Sequence, residues 1–179
     1  MGTIKTTNIE PIADNGTVTL GSSGDNLVLG SGAKSSFLYP SFEAALTSDQ
    51  TLSDAVSTKV QFDNELFDTD NCYDATTNYR FTPNVAGKYF VYLKINFVGN
   101  GGINDTFTMI RKNGSTIIHD LNNDSALTQQ AQISMGIVDM NGTTDYLEGW
   151  GNNDVAAGSS CTLDSDLRKT LFGAYRIGT

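Results

Sequence analysis

Residues 79–98 read YRFTPNVAGKYFVYLKINFV, and this stretch decides the fold. It opens as a short strand, stops at Pro83, turns at Ala86-Gly87 and restarts. Pro83 has no N–H to give a ladder, and Gly87 supplies the backbone freedom the restart needs. From Tyr89 onward the side chains alternate. Tyr89, Val91, Leu93, Ile95 and Phe97 share one face; Phe90, Tyr92, Lys94, Asn96 and Val98 share the other. A period of two in aromatic and β-branched residues predicts a pleated strand with one face fully buried and the other partly. The second face is too apolar for open solvent, which assigns Phe90, Tyr92 and Val98 to an interface between subunits.

The rest of the chain reads the same way. Gly, Ser, Thr and Asn supply roughly two-fifths of the 179 residues, well above their usual share. Charged residues are only 17%, so the good helix formers are scarce. Residues 42–46 predict a short strand, and Val60, Phe62 and Leu66 mark another that ends near Phe67. Residues 49–57 predict a polar loop with one helical turn at 53–56, and 68–78 an acidic one. After Val98 a Gly/Asn-rich loop is expected over 99–105. Asn113-Gly114 then joins strands at 106–112 and 115–121, since both residues tolerate the positive φ of a tight hairpin. Asn141-Gly142 predicts a second hairpin between 131–138 and 145–150, and 170–177 closes the chain as a last strand. About eight to ten strands with turn signals every 8–12 residues predict an all-β, antiparallel jelly-roll sandwich.

Residues 1–33 differ. DNGTVTLGS at 14–22 is followed by DNLVLGS at 25–31, a crude repeat of turn, short strand and Gly-Ser turn. One such unit buries little alone, so the segment predicts a short β-rich arm ordered by assembly. A flexible Gly/Ser linker is the plainer alternative. The domain division is therefore 1–33 for the arm and 34–179 for the knob.

Several separated motifs then occur in one order. Phe42-x-Ala44 comes first, then Val60-x-Phe62-Asp63, Tyr73-Asp74, and Phe81-Thr82-Pro83-x-x-Ala86-Gly87-x-Tyr89-Phe90. The series closes on Thr170-Leu171-Phe172-Gly173-Ala174-Tyr175. The set resembles the globular head of complement component C-one-q and its tumour-necrosis-factor-like relatives. Phe81, Pro83, Gly87, Tyr89, Phe172 and Gly173 carry that signature. In the penultimate hairpin the family often has Gly-Asp before a Val, where this chain has 141–146 NGTTDY. The resemblance implies a homotrimer with the arm at one end and loops at the other. No Gly-X-Y stalk is present. The arm instead looks like segments of bacteriophage fibre and virion appendage proteins, among which similar knobs occur.

Chemistry is mostly excluded. The net charge of −9 leaves no basic cluster for phosphate, so nucleic acid is not an expected ligand. No apolar run approaches the ~18 residues of a membrane span. Asp68, Asp70 and Asp74 sit at alternate positions like calcium ligands, but the sixth and twelfth places hold Tyr73 and Tyr79 in place of Gly and an acid. Residues 30–35, GSGAKS, lack the glycines of a phosphate loop. The single histidine, His119, has no nucleophile elbow to serve. Cys72 and Cys161 show no zinc or redox spacing and read as unpaired thiols, although pairing stays open. The sequence thus predicts no enzyme and no cofactor. The expected function is a virion structural protein: a trimeric knob of a tail fibre, head fibre or capsid decoration, assembled in the host cytoplasm. The arm would bind other virion proteins, and the knob would touch a host-surface glycan or protein. The alternative is a free-standing glycan- or protein-binding module.

Overall fold

The structure is a computed structural model that describes residues 39–178, with nothing to be said of the side chains of 124–126. The arm at 1–33 therefore lies outside the described residues. Within them the chain is all strand and connection, without a helix. The strands are β1 (Ser41–Ala45), β2 (Gln50–Leu52), β3 (Thr58–Lys59), β4 (Asn64–Asp68), β5 (Tyr73–Asp74) and β6 (Arg80–Phe81). They are followed by β7 (Gly87–Lys112), β8 (Ser115–Met140), β9 (Leu147–Val155), β10 (Cys161–Leu163) and β11 (Leu171–Gly178).

Two sheets share the long strands. The inner sheet runs β4, β1, β11, the first half of β7 and the second half of β8, all antiparallel. The outer sheet runs from the first half of β8 through the second half of β7 to β9, which carries β3 and β6, with β5 beyond β6. β10 lies at the bend of β7, paired to residues 97–99 on one side and to β2 on the other. This is the jelly-roll architecture expected from the turn spacing, with the ladder nearly closed into a barrel.

Two expectations fail for reasons visible in the backbone. Residues 99–105 are not a loop: β7 continues through them and pairs with β8 on both sides of a register shift between Val98 and Ile103. The glycines let the strand bend from one sheet into the other, as at a barrel corner. The bend stays paired, because Asn100 N–H donates to Ser160 O and Ala156 N–H to Gly102 O. Asn141-Gly142 is not a hairpin turn either. It carries the chain from β8, which pairs only with β7, across to β9 in the other sheet. There the Asn141 side-chain oxygen accepts from the N–H groups of Thr143, Thr144 and Asp145. At Asn113-Gly114 both residues do have positive φ, 52° and 81°, and the hairpin forms there as expected. In place of a helical turn, residues 53–56 form a single turn at Asp54-Ala55, where Val56 N–H donates to Ser53 O.

The core sits between the sheets. Tyr89, Val91, Leu93, Ile95 and Phe97 are completely buried. Phe42 stacks on Tyr73 at 4.6 Å and on Phe81 at 4.5 Å, and meets Phe172 edge-on at 5.1 Å. Such pairs add about 0.5–1.5 kcal/mol each beyond area burial. Tyr73 keeps its polar end satisfied by donating to Phe62 O at 3.0 Å; burial pushes its phenol far above the usual range. Gly87 stands at φ 146° with the Gly178 carbonyl 2.2 Å from where a Cβ would be. Cys72 and Cys161 are both buried and are not joined by a disulfide.

Candidate functional site

The feature without a role in the protomer is the outer face of the inner sheet. β8 is the edge strand there, and its binary pattern is inverted. Gln132, Ser134 and Val138 are buried, whereas Ile133, Met135 and Ile137 are 47%, 57% and 62% exposed. The buried polar pair is offset by bonds across to the other sheet. Ser134 Oγ lies 2.8 Å from Thr108 Oγ1 and donates to Thr108 O. Gln132, its amide assigned from the surrounding donors and acceptors, bonds Thr106 O and Asn122 N. Since a slip of one residue would exchange the two faces, these bonds hold the apolar side chains outward.

Registers across the sheet line up the rest. One row runs Phe67, Glu43, Gly173, Tyr92, Met135 through β4, β1, β11, β7 and β8. The next runs Ser41, Tyr175, Phe90, Ile137, and a third Ala45, Leu171, Lys94, Ile133. Phe90 packs between Tyr92 (6.3 Å) and Tyr175 (5.4 Å). The Tyr92 ring lies directly over Gly173, where a Cβ would fall 2.3 Å from its hydroxyl. That hydroxyl donates to Glu43 Oε2 in a short bond. Burial, and then the Glu43 bond, push the Tyr92 phenol well above its ordinary value. Charges rim the patch: Lys88 pairs with Asp139 at 2.6 Å, and Lys94 Nζ donates to Arg168 O at 2.7 Å. A broad apolar face with a charged rim marks an interaction surface.

Of the residues expected at a subunit interface, the structure brings Phe90 and Tyr92 together and sets Val98 apart. Lys94 and the buried Asn96 lie between them, and Val98 is paired with Gln129 and Thr162 at the bend. The face also takes in Phe67, Ile133, Met135, Ile137 and Tyr175, which the sequence reading did not single out. Alternation of apolar with polar residues over 131–137 was the available signal, but it does not say which face is buried.

The carboxylates of the acidic loop serve its own turns. Asp68, Asp70 and Asp74 are not brought together as a metal-holding group among the described residues. Asp68 instead accepts from the N–H groups of Asp70 and Tyr73. Asp74 accepts from the Thr76, Thr77 and Asn78 N–H groups. These carboxylates act as turn caps. His119 is exposed on β8.

No protein-family model matches the chain, and no curated protein is similar to it in sequence. Solved structures do match. Murine APRIL at pH 5.0 superposes with a TM-score of 0.54 at 11% identity, over 76% of this chain and 98% of that one. The tumour necrosis factor Eiger from S. frugiperda gives 0.53 at 10% identity, over 79% of this chain and 94% of that one. At such identity the likeness is one of fold: a tumour-necrosis-factor-like jelly roll.

Proposed function

We propose that the protein is a non-enzymatic structural knob that forms a homotrimer through the outer face of its inner sheet. The observation that carries this reading is the inverted pattern of β8, which turns Ile133, Met135 and Ile137 to solvent in a single protomer. The longest row of that face runs from Phe67 on one edge of the sheet to Met135 on the other. The β8 edge of one copy is thereby suited to the opposite part of its neighbour's face, a heterologous contact that closes as a ring. The trimeric habit implied by the sequence resemblance supports three members in that ring.

In the same reading, residues 1–33 attach the knob to other virion proteins, residues 34–179 are the knob, and the particle assembles in the host cytoplasm. Tail fibre, head fibre and capsid decoration all fit a soluble, acidic knob on a repeat-containing arm that touches the host surface. Native mass measurement tests the assembly; a monomer or dimer at micromolar concentration refutes it. Electron microscopy and adsorption of particles made with and without the protein test the location. Identical particles that adsorb normally would sink it. Deleting residues 1–33 separates this reading from a free-standing module, because only a particle protein then loses incorporation while its knob still folds.

A further inference from the structure

The hydrogen-bonded path through the sheet begins at β4 and ends at β5 without closing. The seam between those ends holds an open cleft of about 500 Å3, within the range of about 300–1,000 Å3 usual for small-molecule sites. Glu65 of β4 forms one wall. Asp74 of β5, Arg80 of β6 and Thr82 beyond it form the other, and Asn71 lies in the connection between them.

The walls are held rigidly. The Asp68 and Asp74 caps fix the turns on either side of Tyr73, and Tyr73 is stacked into the core on Phe42. The Arg80 guanidinium lies 4.5 Å from the centroid of the Tyr146 ring. That cation–π contact positions it while leaving its N–H donors uncommitted. Among the described residues the side chains of Glu65, Asn71, Arg80 and Thr82 make no hydrogen bond to the protein.

These four groups define a ligand by their chemistry. A carboxylate only accepts, a guanidinium only donates, and an amide and a hydroxyl do both. Neighbouring hydroxyls of a sugar, each donor and acceptor at once, satisfy such a set. An anion fits poorly, since Glu65 and Asp74 stand beside the one guanidinium. A cation fits poorly, since the Asp74 oxygens are taken up by Thr76, Thr77 and Asn78. An added peptide strand would find two residues of β5 and an irregular β4, whose register shifts opposite Glu43 and Ala44; short and bulged edges are poor templates.

The geometry points to a neutral-carbohydrate site in the seam between β4 and β5, with Glu65, Asn71, Arg80 and Thr82 bonding the sugar hydroxyls. This deepens the reading of the knob as a surface-contacting module and rests on it for where the sugar is displayed. Binding itself belongs to each protomer.

The test applies the full chain to a printed array of neutral hexose and N-acetylhexosamine oligosaccharides, with sialylated and sulfated ones as the anionic arm. Calorimetry on the strongest neutral glycan then compares wild type with Arg80→Ala and Asn71→Gly; glycine keeps the positive φ of 55° at that position. At least one neutral oligosaccharide should bind, and each substitution should weaken it about tenfold or more. Thr82→Val replaces Arg80→Ala if the latter lowers the unfolding midpoint. No neutral binder, binding confined to anionic glycans, or affinity untouched by the substitutions overturns the site. A trimer that binds no glycan removes this inference alone, whereas a monomer that binds one removes the assembly reading alone.

Discussion

Replacing Ile137 with aspartate asks the most of the proposed interface and the least of the protomer. Full burial of an isoleucine side chain contributes about 1.5–3 kcal/mol. Ile137 is 62% exposed in the protomer, so roughly 1–2 kcal/mol per copy remains to be gained on assembly. Summed over a trimer that is about 3–6 kcal/mol, or roughly two to four orders of magnitude in the association constant. Aspartate forfeits this gain and adds a carboxylate that loses water without gaining a partner, which makes the loss larger. Within the protomer the same change lies on an exposed strand face, where substitutions cost up to about 1 kcal/mol. At roughly 2–4 °C per kcal/mol for a domain of this size, the melting temperature of the protomer moves by only a few degrees. Sedimentation velocity reports the first effect and circular dichroism the second. A variant that sediments as the wild-type trimer refutes the assigned face. One that unfolds outright refutes the claim that Ile137 is idle in the protomer.

Four further outcomes come from the packing. Gly173→Ala places a Cβ 2.3 Å from the Tyr92 hydroxyl; the ring should swing outward, so native mass shows weaker assembly with a smaller loss in melting temperature. Gly87→Ala meets the Gly178 carbonyl at 2.2 Å with φ at 146°, and should destabilise the protomer by about 1–3 kcal/mol or more in urea unfolding. The Thr77 and Thr76 N–H groups hold the Asp74 carboxyl well below the usual carboxylate range. Asp164, bonded first by Lys169, and Asp145, bonded first by Lys112, are also lowered. A depressed folded pKa contributes stability that is complete above the unfolded value of ~3.9 and is lost as pH falls toward the folded one. The melting temperature should therefore drop as pH falls below about 4, and Asp74→Asn should flatten that drop; an equally steep curve removes Asp74 as a contributor. Burial pushes the Cys161 thiol up to about 11, so at pH 8 this thiol should resist alkylation until denaturant is added, and its rapid labelling in the native protein would contradict its placement.

The core was legible in sequence because a strand with one dry face leaves an unambiguous trace. The alternation from Tyr89 to Phe97 predicted five side chains that are all completely buried. The hairpin at Asn113-Gly114 was legible because two consecutive residues with positive φ need that chemistry. Asn141-Gly142 carries the same letters and does other work, since the sheet that β9 joins decides where the chain must go after the turn. The glycines at 99–102 read as a loop for a related reason. Composition reports backbone freedom, and a sharply bent strand needs as much of it as a loop does. The carboxylates at 68–74 matched a metal loop in spacing, but the N–H groups they cap come from the turn conformation itself. Short strands such as β3, β5 and β6, two residues each, have no periodicity to detect; only their neighbours make them strands.

The β8 part of the proposed assembly face failed to stand out for a deeper reason, which bears on how the fold uses β8. Alternation shows that two faces differ, and habit assigns the apolar one to the core. In β8 the habit fails because its inner side chains, Gln132 and Ser134, meet Thr106 and Thr108 on the strand that folds back over them. Hydrogen bonds there satisfy groups that would otherwise be costly to bury, so the sandwich closes at that end with polar contacts. Apolar side chains on the inner face would have closed it equally well and left β8 a polar outer surface. Placing Ile133, Met135 and Ile137 outside gains nothing for a lone protomer and exposes an edge strand to unwanted pairing. Such an arrangement is stable against that hazard only when something covers the face. The aligned rows of Tyr92 over Gly173, and of Phe90 against Tyr175, extend that face across the sheet, as the proposed assembly through β8 requires.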